Sequence, residues 1–223
     1  MKEHFAEQLE HLRRRLILFG AEVEKQIAAA VEALTEASAI KARAVVSADE
    51  LIDRTEVEIE EEAIQLFALQ QPVAVDLRLL IGALKINNDL ERIGDHAVNI
   101  AEGAERISML KPKPVKPFVD LPHMAEIAMA MLKDALDSFV NRDTVLANDV
   151  IRKDDILDEK NQSLIRELLT YMAETPSLIS YCLELISVSK NLERVGDLAT
   201  NIAEDTIYIA QAKVVKHHAA EIV

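Results

Sequence analysis

The sequence predicts an all-α protein built as two tandem three-helix bundles, and three observations carry that expectation. The first is a duplication: Leu90 to Glu102 (LERIGDHAVNIAE) returns 102 positions later as Leu192 to Glu204 (LERVGDLATNIAE), with only Ile93, His96 and Val98 changed. The retained positions include Glu, Gly, Asp and Asn, which a merely amphipathic helix would not need to keep. The second is composition: half of the 223 residues are apolar, aromatics make up 4%, Trp is absent and there are only 5 Gly, as expected of long packed helices rather than sheets. The third is a series of apolar stripes at spacings of three, four and seven.

The first helix starts from Phe5. Leu9, Leu12, Leu16, Phe19, Val23, Ile27, Ala30 and Leu34 form one stripe that should end near Ala37. Arg13, Arg14 and Arg15 within it read as solvated charges offset by Glu7, Glu10 and Glu22. Ser38 is placed to cap a second helix whose seam is Val45, Ile52, Ile59 and Leu66. The second half repeats this with Asp143 as cap and Val150, Leu157, Leu164 and Tyr171 as seam, each 105 positions on. The offset drops to 102 in the next helix, so three residues differ in the intervening turn, where length changes are tolerated.

Gln71-Pro72 and Thr175-Pro176 mark that turn in the two halves, with proline expected at the start of a helix, where its missing N–H costs nothing. The third helix has the seam Ala83, Ile86, Leu90, Ile93, Ala97, Ile100, Ala104 and Ile107, echoed by Val188, Leu192, Val195, Ala199, Ile202, Thr206 and Ile209. Between the halves, Lys111-Pro112-Lys113-Pro114-Val115-Lys116-Pro117 forbids helix and favours a stiff connector. A fourth helix should begin near Asp120 to Pro122 and bury Met124, Ala128, Met131, Ala135 and Phe139. Residues 1–110 are thus expected to form one bundle, 111–118 a linker and 119–223 a second bundle. His217-His218 reads as a frayed end.

A net charge of −14 repels nucleic-acid phosphate and anionic lipid, and favours cations or basic protein surfaces. No apolar run approaches the roughly 20 residues of a membrane span, and Met1 to His4 lead into an amphipathic pattern rather than a signal peptide. The single cysteine, Cys182, lies in an apolar run and reads as a small core hydrophobe. A reducing, cytosolic setting is expected.

The chemistry is carried by acids at i,i+4. Glu91 and Asp95 stack on one helical face, with Glu102 further along it, and Asp49 and Asp53 do the same with Glu56 and Glu60 beyond them. The second half supplies Asp154/Asp158 and Glu193/Asp197. Wet faces usually set Glu against Lys at this spacing; acid on acid costs a few tenths of a kcal/mol per pair. If the second and third helices of each bundle are antiparallel neighbours, four carboxylates gather along one groove. Protonation, arginine or a bound cation must then relieve the repulsion. Arg92 and Arg194 offset part of it. An all-oxygen donor set suits Mg²⁺, Mn²⁺, Ca²⁺ or iron, and does not suggest a thiolate or His-rich zinc site. Gly94 and Gly196, each costing about 1 kcal/mol inside a helix, imply close approach of a neighbour. Asn99 and Asn201 extend the polar row, whereas His96, matched by Leu198, is set aside as a ligand. No P-loop, dinucleotide-binding glycine pattern, Gly-x-Ser-x-Gly or Glu-x-x-His at an acidic row is present, so nucleophilic catalysis has no support.

Through Leu90-Glu91-Arg92-Ile93-Gly94-Asp95, its copy Leu192-Glu193-Arg194-Val195-Gly196-Asp197, and Gln71-Pro72-Val73-Ala74-Val75-Asp76-Leu77-Arg78, the chain resembles the PhoU family of phosphate-uptake regulators over essentially its whole length. The resemblance implies a cytoplasmic, non-enzymatic protein with pseudo-twofold symmetry, whose acidic motifs bind multinuclear metal clusters, iron foremost, with zinc, Mg²⁺ or Mn²⁺ as alternatives. By position the ligands fall on Glu91, Asp95, Glu193 and Asp197, joined by Asp49, Asp53, Asp154 and Asp158. It further implies a homodimer that restrains phosphate uptake and phosphate-starvation signalling through a phosphate ABC transporter ATPase and a sensor histidine kinase. The second half departs from the first: Pro176 to Tyr181 lacks the Asp-Leu-Arg of Asp76 to Arg78, and Asn161 and Gln162 replace part of the acidic extension, so the two sites are expected to differ. Two other readings remain open, a metal-dependent enzyme acting on phosphate compounds and a plain helical scaffold.

Overall fold

A computed structural model describes residues 2–111, 120–213 and 215, with side chains from residue 5 onward. Six long helices make up the described chain: α1 (Lys2–Thr35), α2 (Ala39–Gln70), α3 (Val75–Met109), α4 (Leu121–Asn141), α5 (Thr144–Glu174) and α6 (Ile179–Gln211), with a 3-10 turn, Pro176–Leu178, leading into α6. Most of the linker and the His217-His218 tail fall outside the described residues.

The stripes become the cores. Leu12, Leu16, Phe19, Val23 and Ile27 of α1 meet Val45, Ile52, Ile59 and Leu66 of α2 and the whole predicted seam of α3, all buried. In the second half the predicted seams of α4 and α6 are equally buried, with Val150, Leu157 and Leu164 of α5. Tyr171 is only partly covered. Within each half every helix packs on the other two, and the short turns make successive helices antiparallel. Cys182 is fully buried, and burial pushes its thiol up, which fits a packing role.

The turn between the first two helices of each half is duplicated in detail. Ala37 (φ 48°) and Arg142 (φ 52°) both take the left-handed conformation, followed by Ser38 N–H bonding to the Ala33 carbonyl and Asp143 N–H to the Ser138 carbonyl, each at 2.9 Å. Ser38 Oγ then accepts from Lys41 N (3.4 Å), and Asp143 Oδ1 from Val145 N (2.9 Å) and Leu146 N (3.1 Å). With two short bonds against one long one, Asp143→Ala should cost about 1 kcal/mol and Ser38→Ala less, as read from the denaturant midpoint.

Proline placement holds in one half only. Pro176 opens the 3-10 turn into α6, but Pro72 lies three residues before α3. Gln71 (φ 46°) closes α2 in the left-handed region, and Ala74 (φ 50°, ψ −108°) turns the chain again before α3 can start. The first-half connection is thus a double reversal.

The halves join through α3 and α6, which run antiparallel along each other, and through α1 against α4. Two glycines let α3 approach: a Cβ on Gly82 would stand 2.3 Å from Ile209 Cδ1, and one on Gly103 3.0 Å from Val188 Cγ2. Polar contacts fix the register. Lys85 Nζ meets the buried carboxylate of Asp205 at 2.8 Å and lies 5.6 Å from the Tyr208 ring centre; His96 Nδ1 pairs with Asn191 Oδ1 at 2.9 Å; Arg106 Nε donates to Glu184 at 2.9 Å. His96 therefore serves the joint between halves. The arginine cluster is paired too: Arg13 and Arg14 with Glu10, and Arg15 across to Glu58 and Glu62 of α2.

Candidate metal grooves

The four acid pairs come together two and two, across α2/α3 and across α5/α6. Gly94 makes the first approach possible. A Cβ there would stand 2.9 Å from Ile52 Cγ2, 3.1 Å from Gln26 Oε1 and 3.7 Å from Asp49 Oδ1, so the motif's glycine lies directly against the acid-bearing helix. Gly196 repeats the arrangement, with Leu157 Cδ2 at 2.5 Å, Asp154 Oδ1 at 3.3 Å and Met131 Cε at 3.5 Å. Glu91 and Glu193 stand three residues before these glycines and Asp95 and Asp197 directly after them, so the acids of both helices face one groove.

The electrostatics record the convergence. Partial burial, then Asp95, Glu56, Asp53 and Asp49, raise the Glu91 carboxyl above its usual range. Burial, then Glu60 and Asp53, raise Glu56. In the second groove burial and the charges of Asp158, Asp197, Asp155 and Glu193 push Asp154 up to about 7, and burial with Asp197 and Asp155 raises Asp158 against the opposing charge of Arg194. Burial and Asp197 lift Glu193, with Arg194 and Lys190 opposing. Each effect is the penalty of holding like charges together in a partly dry place.

All eight predicted residues lie in the two grooves. Asp53 and Asp95 are exposed, the other six half-buried. Among the described residues no three His, Cys, Asp or Glu side chains form a ready-made cage. Glu102 is drawn off to Arg106 at 3.5 Å. Asn99 is exposed on the first repeat, while Asn201 lines a cleft of about 390 Å³ together with Arg92, His96, Asp154, Arg194 and Asp197, which sets the second groove beside the joint between halves.

Three polar residues absent from the sequence argument shape the grooves. Gln26 of α1 donates Nε2 to Asp49 Oδ1 at 2.8 Å. Further along, Asn87 Nδ2 donates to the Glu56 carbonyl (2.9 Å), and in the matching layer of the second half Ser189 Oγ donates to Asn161 Oδ1 (2.6 Å). Asn161 is buried, so the acidic row of α5 turns inward there. Its place seven residues from both Phe19 and Ala33, on the buried stripe of α1, is the signal that would have singled out Gln26.

A PhoU domain family model matches residues 16–104 and again 121–206. The chain belongs to the PhoU family. The phosphate-specific transport system accessory protein PhoU homolog of Aquifex aeolicus is 42% identical over 94% of this chain and 94% of its own, and that of Pseudomonas putida 40% identical over 97% and 84%. The crystal structure of PhoU from Pseudomonas aeruginosa superposes with a TM-score of 0.89 at 38% identity, covering 94% of this chain and all of that one. The phosphate transport system regulatory protein PhoU from Streptococcus pneumoniae gives 0.86 at 25% identity, over 95% and 99%. The six-helix, twice-repeated architecture is that of the family.

Whether these grooves suit the metal expected of PhoU-type acidic motifs can be judged on the donors. Asp154 Oδ1 and Asp158 Oδ1 are both buried and have no hydrogen-bond partner among the described residues. A buried carboxylate oxygen left in that state calls for a proton or a cation. The surrounding donors are all oxygen, so the set fits a hard cation.

The raised Asp154 carboxyl has a consequence for metal-free protein. An acid whose folded pKa stands above its unfolded value of 3.8 holds more protons folded than unfolded between the two. Its contribution is most favourable below about pH 4 and is lost as pH rises through 7. In chelator, the melting temperature of the wild type should fall between pH 5 and pH 8 relative to Asp154→Asn, which lacks this titration. Parallel profiles would remove Asp154 as the group responsible.

Proposed function

We propose that this PhoU-family chain is a cytoplasmic regulatory adaptor of phosphate transport, a negative regulator of phosphate uptake and starvation signalling that binds metal in its two acidic grooves. The observation that carries the regulatory role is near-full-length identity of about 40% to proteins named as accessory proteins of the phosphate-specific transport system. The partners proposed are the ATPase subunit of a phosphate ABC transporter and a sensor histidine kinase, with the protein acting as a homodimer. No described helix is long and apolar enough to cross a membrane, which fits recruitment through another protein.

In this reading Asp49, Asp53, Glu91 and Asp95 hold cations in the first groove, and Asp154, Asp158, Glu193 and Asp197 in the second. Bound cations would neutralise stacked carboxylates and tie α2 to α3 and α5 to α6. The residues themselves do the rest: Gly94 and Gly196 set the helix spacing, and Arg194, 2.6 Å from Asp197, holds part of the second groove's charge. A role in binding and regulation rather than turnover is supported by the naming of its relatives as accessory proteins of a transport system.

The test is complementation. Expressed in a bacterium lacking its own PhoU, with phosphate replete, the chain should lower phosphate uptake and silence a phosphate-starvation reporter. A variant with the eight carboxylates changed to their amides should do neither. Uptake and reporter unchanged by the wild-type chain would contradict the regulatory reading.

A further inference from the structure

We infer that the two grooves are unequal, and that Gln26 is the positioning residue that makes the first groove the tighter cation site. The inference rests on the proposed metal reading and adds which repeat binds first and why.

The duplication provides an internal control. Around Gly94 stand Ile52, Gln26 and Asp49; around Gly196 stand Leu157, Met131 and Asp154. Each is its partner's counterpart in the repeat, and only the Gln26/Met131 position changes chemistry. Gln26 is 6% exposed, and its Oε1 is buried with no hydrogen-bond partner among the described residues. A buried half-satisfied amide is costly where Met packs in the other repeat, so it needs a reason beyond packing. The reason on hand is its other end: Nε2 donates to Asp49 Oδ1 at 2.8 Å. That bond fixes the carboxylate's rotamer and leaves Oδ2 for a cation, as an outer-shell donor does for a ligating side chain. Among the described residues Asp154 has no such donor, so nothing fixes its rotamer ahead of a cation.

Two further differences point the same way. Glu56 and Glu60 extend the first groove's acidic row, whereas their counterparts are Asn161 and Ile165. Arg194 holds Asp197 at 2.6 Å and must release it to a cation, whereas Arg92, its counterpart, turns to Asp89 at 3.6 Å. Asp89 is replaced by Asn191 in the second repeat, so Arg194 has no such alternative. The first groove thus combines more carboxylate, less internal neutralisation and one oriented ligand.

Calorimetric titration with Mn²⁺ tests this on four proteins: wild type, Gln26→Met, Met131→Gln and Asp49→Asn. Two classes of site are expected in the wild type, the tighter one lost in Asp49→Asn. Gln26→Met, which copies the packing of the other repeat, should weaken the tighter class about tenfold or more and spare the weaker. Met131→Gln should tighten the weaker class, and carries the test if Gln26→Met melts below the working temperature. If Asp49→Asn abolishes a class that Gln26→Met leaves unchanged, or spares the tighter class, the inference is overturned while the metal reading stands. No Mn²⁺ uptake by the wild type would remove the metal reading itself, and this inference with it.

Discussion

Lys85→Met is expected to destabilise the protein by about 2 kcal/mol: the Lys85 side chain is 44% exposed, so solvent screens part of the pair, but its partner Asp205 is buried and would be left without a cation. Asp205 is 2% exposed in the α3/α6 joint and meets Lys85 Nζ at 2.8 Å, so the substitution leaves a carboxylate in the seam with its cation gone. Met keeps the length and packing of the lysine stem, so the loss reports the charge rather than a hole. The Lys85 contact to the Tyr208 ring goes with it. Because the lost contact lies between halves, denaturant unfolding should turn less cooperative, with the two bundles beginning to separate as units. The double variant Lys85→Met, Asp205→Asn should recover most of the stability, since the amide carries no charge to strand. A Lys85→Met protein as stable as the wild type would show that the joint does not depend on this pair.

Gly196→Leu should cost about 3 kcal/mol, the upper end for overpacking. A single Cβ would already stand 2.5 Å from Leu157 Cδ2 and 3.3 Å from Asp154 Oδ1. Three further carbons have nowhere to go unless α6 moves off α5. Gly196→Ala separates the contributions: Leu157 ends in a movable methyl and alanine favours helix by about 1 kcal/mol, so its net effect should be small. Both can be read from urea midpoints in chelator, and a leucine variant matching the alanine one would mean that the helices are not held close here.

The helices were legible because packing on a bundle core imposes its own period on the chain. Val45, Ile52, Ile59 and Leu66 repeat every seven residues since each returns to the same face, and all four are buried. The pairing of acids across helices was legible for a related reason: once α2 and α3 are antiparallel neighbours around Gly94, helical geometry brings Asp49 and Asp53 opposite Glu91 and Asp95. Pro72 escaped that logic, because the left-handed Gln71 and Ala74 delay the helix, and neither is a glycine that would have announced it. Gln26 escaped for another reason. A periodic stripe says which side of α1 is buried, but not that one amide within it reaches across to Asp49. Nor does spacing along a chain reveal how each groove's carboxylate charge is offset. That balance depends on which arginine finds which acid: Arg92 goes to Asp89 and Arg194 to Asp197.

Metal content is the direct check on the account. Wild-type protein and a variant with Asp49, Asp53, Asp154, Asp158 and Asp197 changed to Asn, Asp95 likewise, and Glu91 and Glu193 changed to Gln are loaded with iron, dialysed exhaustively and measured by elemental analysis. Iron retained by the wild type and lost from the variant, with both equally helical, is the predicted result; equal iron in the two proteins would contradict it.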